Sequence, residues 1–242
     1  GRGFAVGNAR VPIVPGAILF DLLNGGDKDW GRHPPYRELG YAAAKAAGKK
    51  FELGSVGAGT GATTENLKGG LGSASAVAPT GHVVGAIVAV NAVGRVTVGD
   101  GPHLWPAPFE NDREFGGLGF PPKISFGDLT PRLKGGAPKS TTPALVATDA
   151  VLTKAQAQRL AMLASTGLAR AIWPVFTPLD GDIVFAAATG RRPLDETHHD
   201  LALIGATAAA CLARAVGRAI YEAMALPYPG ALPAWRDRFG GK

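Results

Sequence analysis

The sequence predicts an α/β fold in which helices pack on a sheet. Three observations carry this. Residues 83–98, 143–147 and 183–188 are short stretches dominated by β-forming residues. Residues 153–172 and 198–224 are Ala-rich, have helical composition and are interleaved with those stretches. The chain of 242 residues is 46% apolar and 18% charged, a composition that builds a core and excludes global disorder.

The elements follow in order. Residues 4–23 are expected as extended chain, because Val11, Ile13 and Val14 stand between Pro12 and Pro15. Proline admits an edge or irregular strand there, not a central helix. Asn24-Gly-Gly-Asp27 is a turn signal. Residues 36–47 present Leu39, Ala42, Ala43 and Ala46 and stop at Gly48, as a helix with a glycine at C′ does. Residues 54–72 alternate Gly54, Gly57, Gly59, Gly61, Gly69, Gly70 and Gly72 with Ser and Thr. Such a stretch either brings backbone N–H groups close to a ligand or forms a tight structural loop. It fits neither a Walker loop nor a dinucleotide fingerprint.

Residues 83–98 read as a strand, buried on both faces over the run before Asn91. Asn91, polar at the end of that run, is expected to be hydrogen-bonded. Residues 99–140 are rich in Pro, Gly and charge, and read as an excursion, a lid or a segment preceding a processing site. Thr153 and Gln156 form a capping-box pattern before a helix to about Ile172, which Pro174 stops. Cys211, inside the last Ala-rich stretch, reads as a small buried hydrophobe.

Composition removes several function classes. A single cysteine excludes a disulfide framework and a thiolate zinc cluster. His33, His82, His103, His198 and His199 show no metal-ligand spacing, so no metal site is expected. No G-x-S-x-G elbow is present. The net charge of +6 is dispersed, its densest groups being Lys49-Lys50, Arg191-Arg192 and the tail Arg236, Arg238, Lys242. No basic stripe interleaved with aromatics emerges, so no nucleic-acid partner is expected. No apolar run reaches the ~18 residues of a bilayer span, and no leader pattern opens the sequence. A cytoplasmic protein without a membrane partner is the expectation.

Two features carry chemistry. Ser140-Thr141-Thr142 lies where the irregular stretch meets a strand, and Asp180-Gly181-Asp182 lies at the entrance of another. Singly, the first is a β-branched strand start and the second a turn. Together they fit a nucleophile that supplies its own base. A cut before Thr141 creates an α-amino group with a pKa of about 8, able to take the proton of its own hydroxyl. A nearby carboxylate orients that amine, while Asn91 and Gly-rich-loop N–H groups can hold an oxyanion.

Gly57-Ala-Gly-Thr-Gly-Ala-Thr63, Lys68-Gly-Gly-Leu-Gly-Ser-Ala-Ser75, Val84-Gly-Ala-Ile-Val-Ala-Val-Asn91, Thr141-Thr142 with Ala147-Thr-Asp-Ala150, and Pro178-Leu-Asp-Gly-Asp182 are collinear. The chain resembles the L-aminopeptidase/D-esterase (DmpA-like) family of N-terminal-nucleophile hydrolases. That family includes β-peptidyl aminopeptidases and endo-type nylon-oligomer (6-aminohexanoate-oligomer) hydrolases. The resemblance implies a four-layer αββα sandwich, shared with ornithine acetyltransferase. It implies self-cleavage at Ser140–Thr141 into a larger piece (residues 1–140) and a smaller one (residues 141–242), together one domain. Thr141 would be the catalytic nucleophile, Asp180 and Asp182 its flanking acids, and Asn91 an oxyanion or amine partner.

A threonine nucleophile resembles the nylon-oligomer branch, which has Tyr at the place of Phe20 and a lysine near Asn66, close to Lys68. Gly59, Thr60, Gly61, Asn66, Lys68 and Phe20 are thereby expected around the substrate. The implied substrates are short peptides, amino-acid amides or esters, or linear oligoamides, with no cofactor. The implied assembly is a homo-oligomer, a tetramer of processed pairs. Family members usually carry further N-terminal residues, so the N-terminal part of the family fold is expected to be absent here. Two alternatives stand beside hydrolysis: acyl transfer to an amine, and a catalytically silent binding protein of the same fold.

Overall fold

The computed structural model describes residues 3–135 and 140–240. Lys242 of the basic tail and residues 136–139 before Ser140 lie outside the described residues. A short hairpin, β1 (Phe4–Val6) with β2 (Ala9–Val11), opens the described chain. Helix α1 (Tyr36–Ala46) follows and buries none of its residues.

Four strands then form one mixed sheet in the order β3-β4-β5-β6: β3 (Gly70–Val77), β4 (Val83–Val90), β5 (Pro143–Ala150) and β6 (Ile183–Arg192). The first two pairs are antiparallel, while β5 and β6 run parallel, joined through helix α3 (Lys154–Ala169). Two single-turn segments, Ala107–Phe109 and α2 (Phe126–Leu129), punctuate the long excursion between β4 and β5. Helix α4 (Thr197–Tyr221) and the short α5 (Trp235–Phe239) complete the order.

Alternation decides what the sheet buries. Val84, Ala86, Val88 and Val90 of β4 are buried, as are Ala144, Val146 and Ala150 of β5. The register pairs Ala86 with Val146 and Val88 with Ala144, so these side chains share one face. Helices α3 and α4 cover that face and add Leu160, Leu168, Ile204, Cys211, Leu212, Val216 and Ile220 to a single core cluster. Gly72 lets α4 approach, because a Cβ there would collide with the Ala215 carbonyl. On the other face Gly85 and Ile87 are half-buried and Leu145 is 38% exposed. The expectation that the run before Asn91 is buried on both faces is therefore corrected: the helix-covered face is closed along the strand, and the other face closes only at Ala89, next to Asn91.

Local signals held at α3, where Thr153 Oγ1 accepts from the Gln156 N–H and the Thr153 N–H donates to Gln156 Oε1 at 2.7 Å. Strand β4 ends at Val90, not at 98, because Asn91 turns its side chain into a polar cluster. The last three residues of the Gly-rich stretch, Gly70 to Gly72, open strand β3, which the glycines disguise. The apolar-run expectation also needs amending. Helix α4 is long and apolar enough to cross a membrane by length and composition, yet most of it is buried in this chain's own core.

Candidate active site

The ends of three adjacent strands meet at one place. Asn91 follows β4, Ser140-Thr141-Thr142 leads into β5, and Asp180-Gly181-Asp182 leads into β6. The β5–β6 ladder extends one bridge further, pairing Ser140 with Asp180. The Ser140 N–H donates to the Leu179 carbonyl at 3.3 Å, and the Gly181 N–H donates to the Ser140 carbonyl at 2.7 Å. The Thr141 N–H donates to the Asn91 carbonyl at 3.1 Å. The Ser140–Thr141 peptide is thus gripped on both sides, and Thr141 retains only 9% of its accessible surface.

The two aspartates hold the frame by accepting backbone N–H groups. Asp180 Oδ1 accepts from Val93, and its Oδ2 accepts from the Thr177 N–H and hydroxyl. Asp182 Oδ1 accepts from the Thr142 N–H at 2.7 Å and its Oδ2 from the Phe176 N–H at 3.2 Å. Burial pushes the Asp182 carboxyl up to about 6, and the Asp180 charge adds to this, against the pull of its N–H donors.

Asn91 is fully buried and hydrogen-bonded at both ends of its carboxamide, as its apolar setting requires. Its Oδ1 accepts from the Thr63 N–H, Asn24 Nδ2 and Lys134 Nζ at 3.1–3.2 Å, and its Nδ2 donates to the Phe20 carbonyl at 2.9 Å. One N–H of the carboxamide is thus held by Phe20, while its second N–H has no protein acceptor within hydrogen-bond distance among the described residues. Its main-chain carbonyl is what meets Thr141. Phe20 enters the cluster through its carbonyl rather than its ring.

The Gly-rich loop places Lys68 underneath. Its ammonium is 1% exposed and donates to the carbonyls of Gly59, Ala62 and Gly69 at 2.7–2.8 Å. Asn24 Nδ2 joins the loop to Asn91 by also donating to the Gly61 carbonyl at 2.9 Å. Gly61 backs onto the Asp21 carboxylate, which a Cβ there would strike. Thr60 is exposed and its N–H returns to Gly57 at 3.0 Å. Asn66 points elsewhere, donating to Thr97 Oγ1 at 3.0 Å. The structure thus gathers Thr141, Asn91, Asp180, Asp182, Ser140, Gly59, Gly61, Lys68 and the Phe20 carbonyl. It directs the Asn66 side chain away and gives Lys68 to the loop's own backbone.

Sequence reasoning missed Lys134. Its N–H donates to the Val93 carbonyl at 2.8 Å, and its Nζ donates to Ser140 Oγ at 3.1 Å and Asn91 Oδ1 at 3.2 Å. Nearby, Arg132 pairs with Asp100, Asp100 with Arg95, and Arg95 with Glu65, each within 3.2 Å. Burial lowers both Lys68 and Lys134 to about 8, against the pull of the Asp21 charge at Lys68 and of the Asp180 charge, then Asp21, at Lys134. No local signal marks Lys134, because its partners lie across an aperiodic segment. Among the described residues no cluster of three or more His, Cys, Asp or Glu side chains is arranged to hold a metal ion.

The sequence profile of peptidase family S58 matches residues 5–230. The chain belongs to peptidase family S58. An uncharacterized aminopeptidase of Mycobacterium bovis is 40% identical over 254 aligned positions, covering 99% of this chain and 71% of that protein. Among solved structures, a β-aminopeptidase from a Burkholderia species superposes with a TM-score of 0.57 at 25% identity, covering 86% of this chain and 57% of that one. The L-aminopeptidase D-Ala-esterase/amidase of Ochrobactrum anthropi, described as a variant of the Ntn hydrolase fold, gives a TM-score of 0.51 at 23% identity over 76% of this chain and 48% of that one. The S58 chain thus spans about half the length of these solved chains, and the likeness to the second shows the fold alone. Its mixed sheet packed by helices is similar to the Ntn hydrolase fold of this family, and S58 membership makes it a peptidase-family hydrolase.

Proposed function

We propose that this S58 chain is a self-processing amide hydrolase whose nucleophile is Thr141, released as an N-terminal residue by cleavage of the Ser140–Thr141 bond. One observation carries the reading: the Thr141 N–H, the group that becomes the α-amine, is already docked on the Asn91 carbonyl beside the Asp180/Asp182 pair. After the cut, that amine takes the proton of Oγ as Oγ adds to a substrate amide carbonyl. Collapse expels the substrate amine, which leaves with a proton, and an ester on Thr141 remains. Water hydrolyses the ester and regenerates hydroxyl and amine.

The substrates are short peptides, amino-acid amides or esters, or linear oligoamides, all presenting an unhindered amide or ester carbonyl. The half-open sheet face supports a four-layer αββα arrangement, with a second sheet over Ile87 and Leu145. A homo-oligomer of processed pairs in the cytoplasm completes the reading. The test is hydrolysis of aminoacyl p-nitroanilides with peptide mapping of the trapped acyl group. The acyl mass is expected on Thr141, and Thr141→Ala is expected to lose turnover; an acyl group on another residue, or full activity in Thr141→Ala, contradicts the assignment.

A further inference from the structure

We propose that Gly181 is a catalytic residue of the self-cleavage step: its main-chain N–H is the oxyanion donor, and its missing side chain is the space in which the Thr141 hydroxyl attacks. The inference rests on the self-cleavage reading above. Two separate observations meet at this glycine. Its N–H lies 2.7 Å from the carbonyl oxygen of Ser140, the oxygen that becomes anionic when the scissile carbon turns tetrahedral. A Cβ built on Gly181 would lie 2.7 Å from Thr141 Oγ1, so its Cα edge borders the nucleophile.

Backbone conformation does not explain the glycine. Gly181 is not among the residues with positive φ, so any amino acid can adopt its backbone angles. What a side chain lacks there is room. The neighbouring polar side chains hydrogen-bond to atoms other than this carbonyl. Asp180 and Asp182 accept backbone N–H groups, Lys68 faces three carbonyls, the Asn91 carboxamide donates to Phe20, and Lys134 Nζ donates to Ser140 Oγ and Asn91 Oδ1. The donor at hydrogen-bond distance from the scissile carbonyl is the Gly181 N–H. The bridge between Ser140 and Asp180 fixes it rigidly, so little reorganisation is needed as charge develops.

The step balances as an N-to-O acyl shift. Thr141 Oγ forms a bond to the Ser140 carbonyl carbon and gives up its proton. The oxyanion on Ser140 is held by Gly181. Collapse breaks the C–N bond, the leaving nitrogen gains a proton and becomes the α-amine of Thr141, and an ester joins Ser140 to Oγ. Water then cleaves the ester, leaving a Ser140 carboxylate and the free Thr141 hydroxyl.

The test follows fragment formation by intact mass in wild type, Gly181→Ala and Gly181→Pro, with and without hydroxylamine. Circular dichroism and thermal melts check that each variant is folded. Gly181→Pro removes the donor, and the cut is expected to slow by about 10²-fold or more. Gly181→Ala keeps the donor but crowds Oγ, and its cut is expected to be slow and unresponsive to hydroxylamine, because the shift rather than ester hydrolysis is impaired. Recovery of the wild-type rate by hydroxylamine in Gly181→Ala, or a folded Gly181→Pro that cuts like wild type, overturns the role of Gly181. A wild-type chain that never cuts overturns the self-cleavage reading itself, and the inference falls with it.

Discussion

Two buried lysines approach the Thr141 site from different regions, and they differ in what they hold. Lys68, in the Gly-rich loop, spends its ammonium on three carbonyls of that same loop. Lys134, from the aperiodic excursion, reaches two side chains at the scissile bond, Ser140 Oγ and Asn91 Oδ1. Burial lowers both to about 8. An identical electrostatic shift therefore accompanies two different roles, one holding a loop together and one touching the reacting segment. Partners, not titration, separate them.

The largest effect that sharpens this contrast is Lys68→Met. It strands three buried carbonyls, and a loss of about 3 kcal/mol or more in urea unfolding is expected. A loss below 1 kcal/mol, on the scale of a single surface contact, would break the contrast. Next comes pH. Both lysines bind their protons less tightly in the folded chain than in the unfolded one, so between about pH 8 and 10.5 the unfolded chain carries more protons. Stability contributed by these groups rises with pH across that window, by up to about 3 kcal/mol per lysine. Lys134→Met is expected to halve that rise, and urea midpoints from pH 7 to 10.5 read it directly.

Asp182 gives the opposite slope. Its carboxyl is raised to about 6, so its contribution is full below the ordinary value of 3.8 and is lost as pH rises through 6. Asp182→Asn is expected to flatten stability between pH 4 and 6; an unchanged slope would show that the folded chain does not raise this group. The smallest effect is expected at Asn66, whose amide serves Thr97. Asn66→Ala should cost about 1 kcal/mol in urea unfolding and leave the cut at Thr141 unchanged. A lost cut would return Asn66 to the site.

The same contrast marks what was legible in the sequence. The Thr153/Gln156 cap, the existence of strand β4, the burial of Cys211 and the bonding of Asn91 are local consequences of composition and period, and the structure carries them all, while the one-sided burial of β4 depends on what packs against each face. Thr141 and the Asp180/Asp182 pair were visible because each sits at a strand entrance with a recognisable motif. Strand β3 was hidden because its glycines exist for the approach of α4, a tertiary reason that no local propensity displays. Asn24 and Lys134 were hidden because they join Asn91 across 67 and 43 residues of sequence. The orientation of Asn91 belongs to the same class, since its distant partners fix where the oxygen and the nitrogen of the amide point.

The most direct measurement is an intact-mass time course with N-terminal sequencing of the purified chain. A new N-terminus reading Thr-Thr-Pro-Ala, starting at Thr141 and absent from Thr141→Ala, is the expected result. A chain that hydrolyses amides while remaining whole, or a cut that begins at another residue, would contradict Thr141 as the released nucleophile.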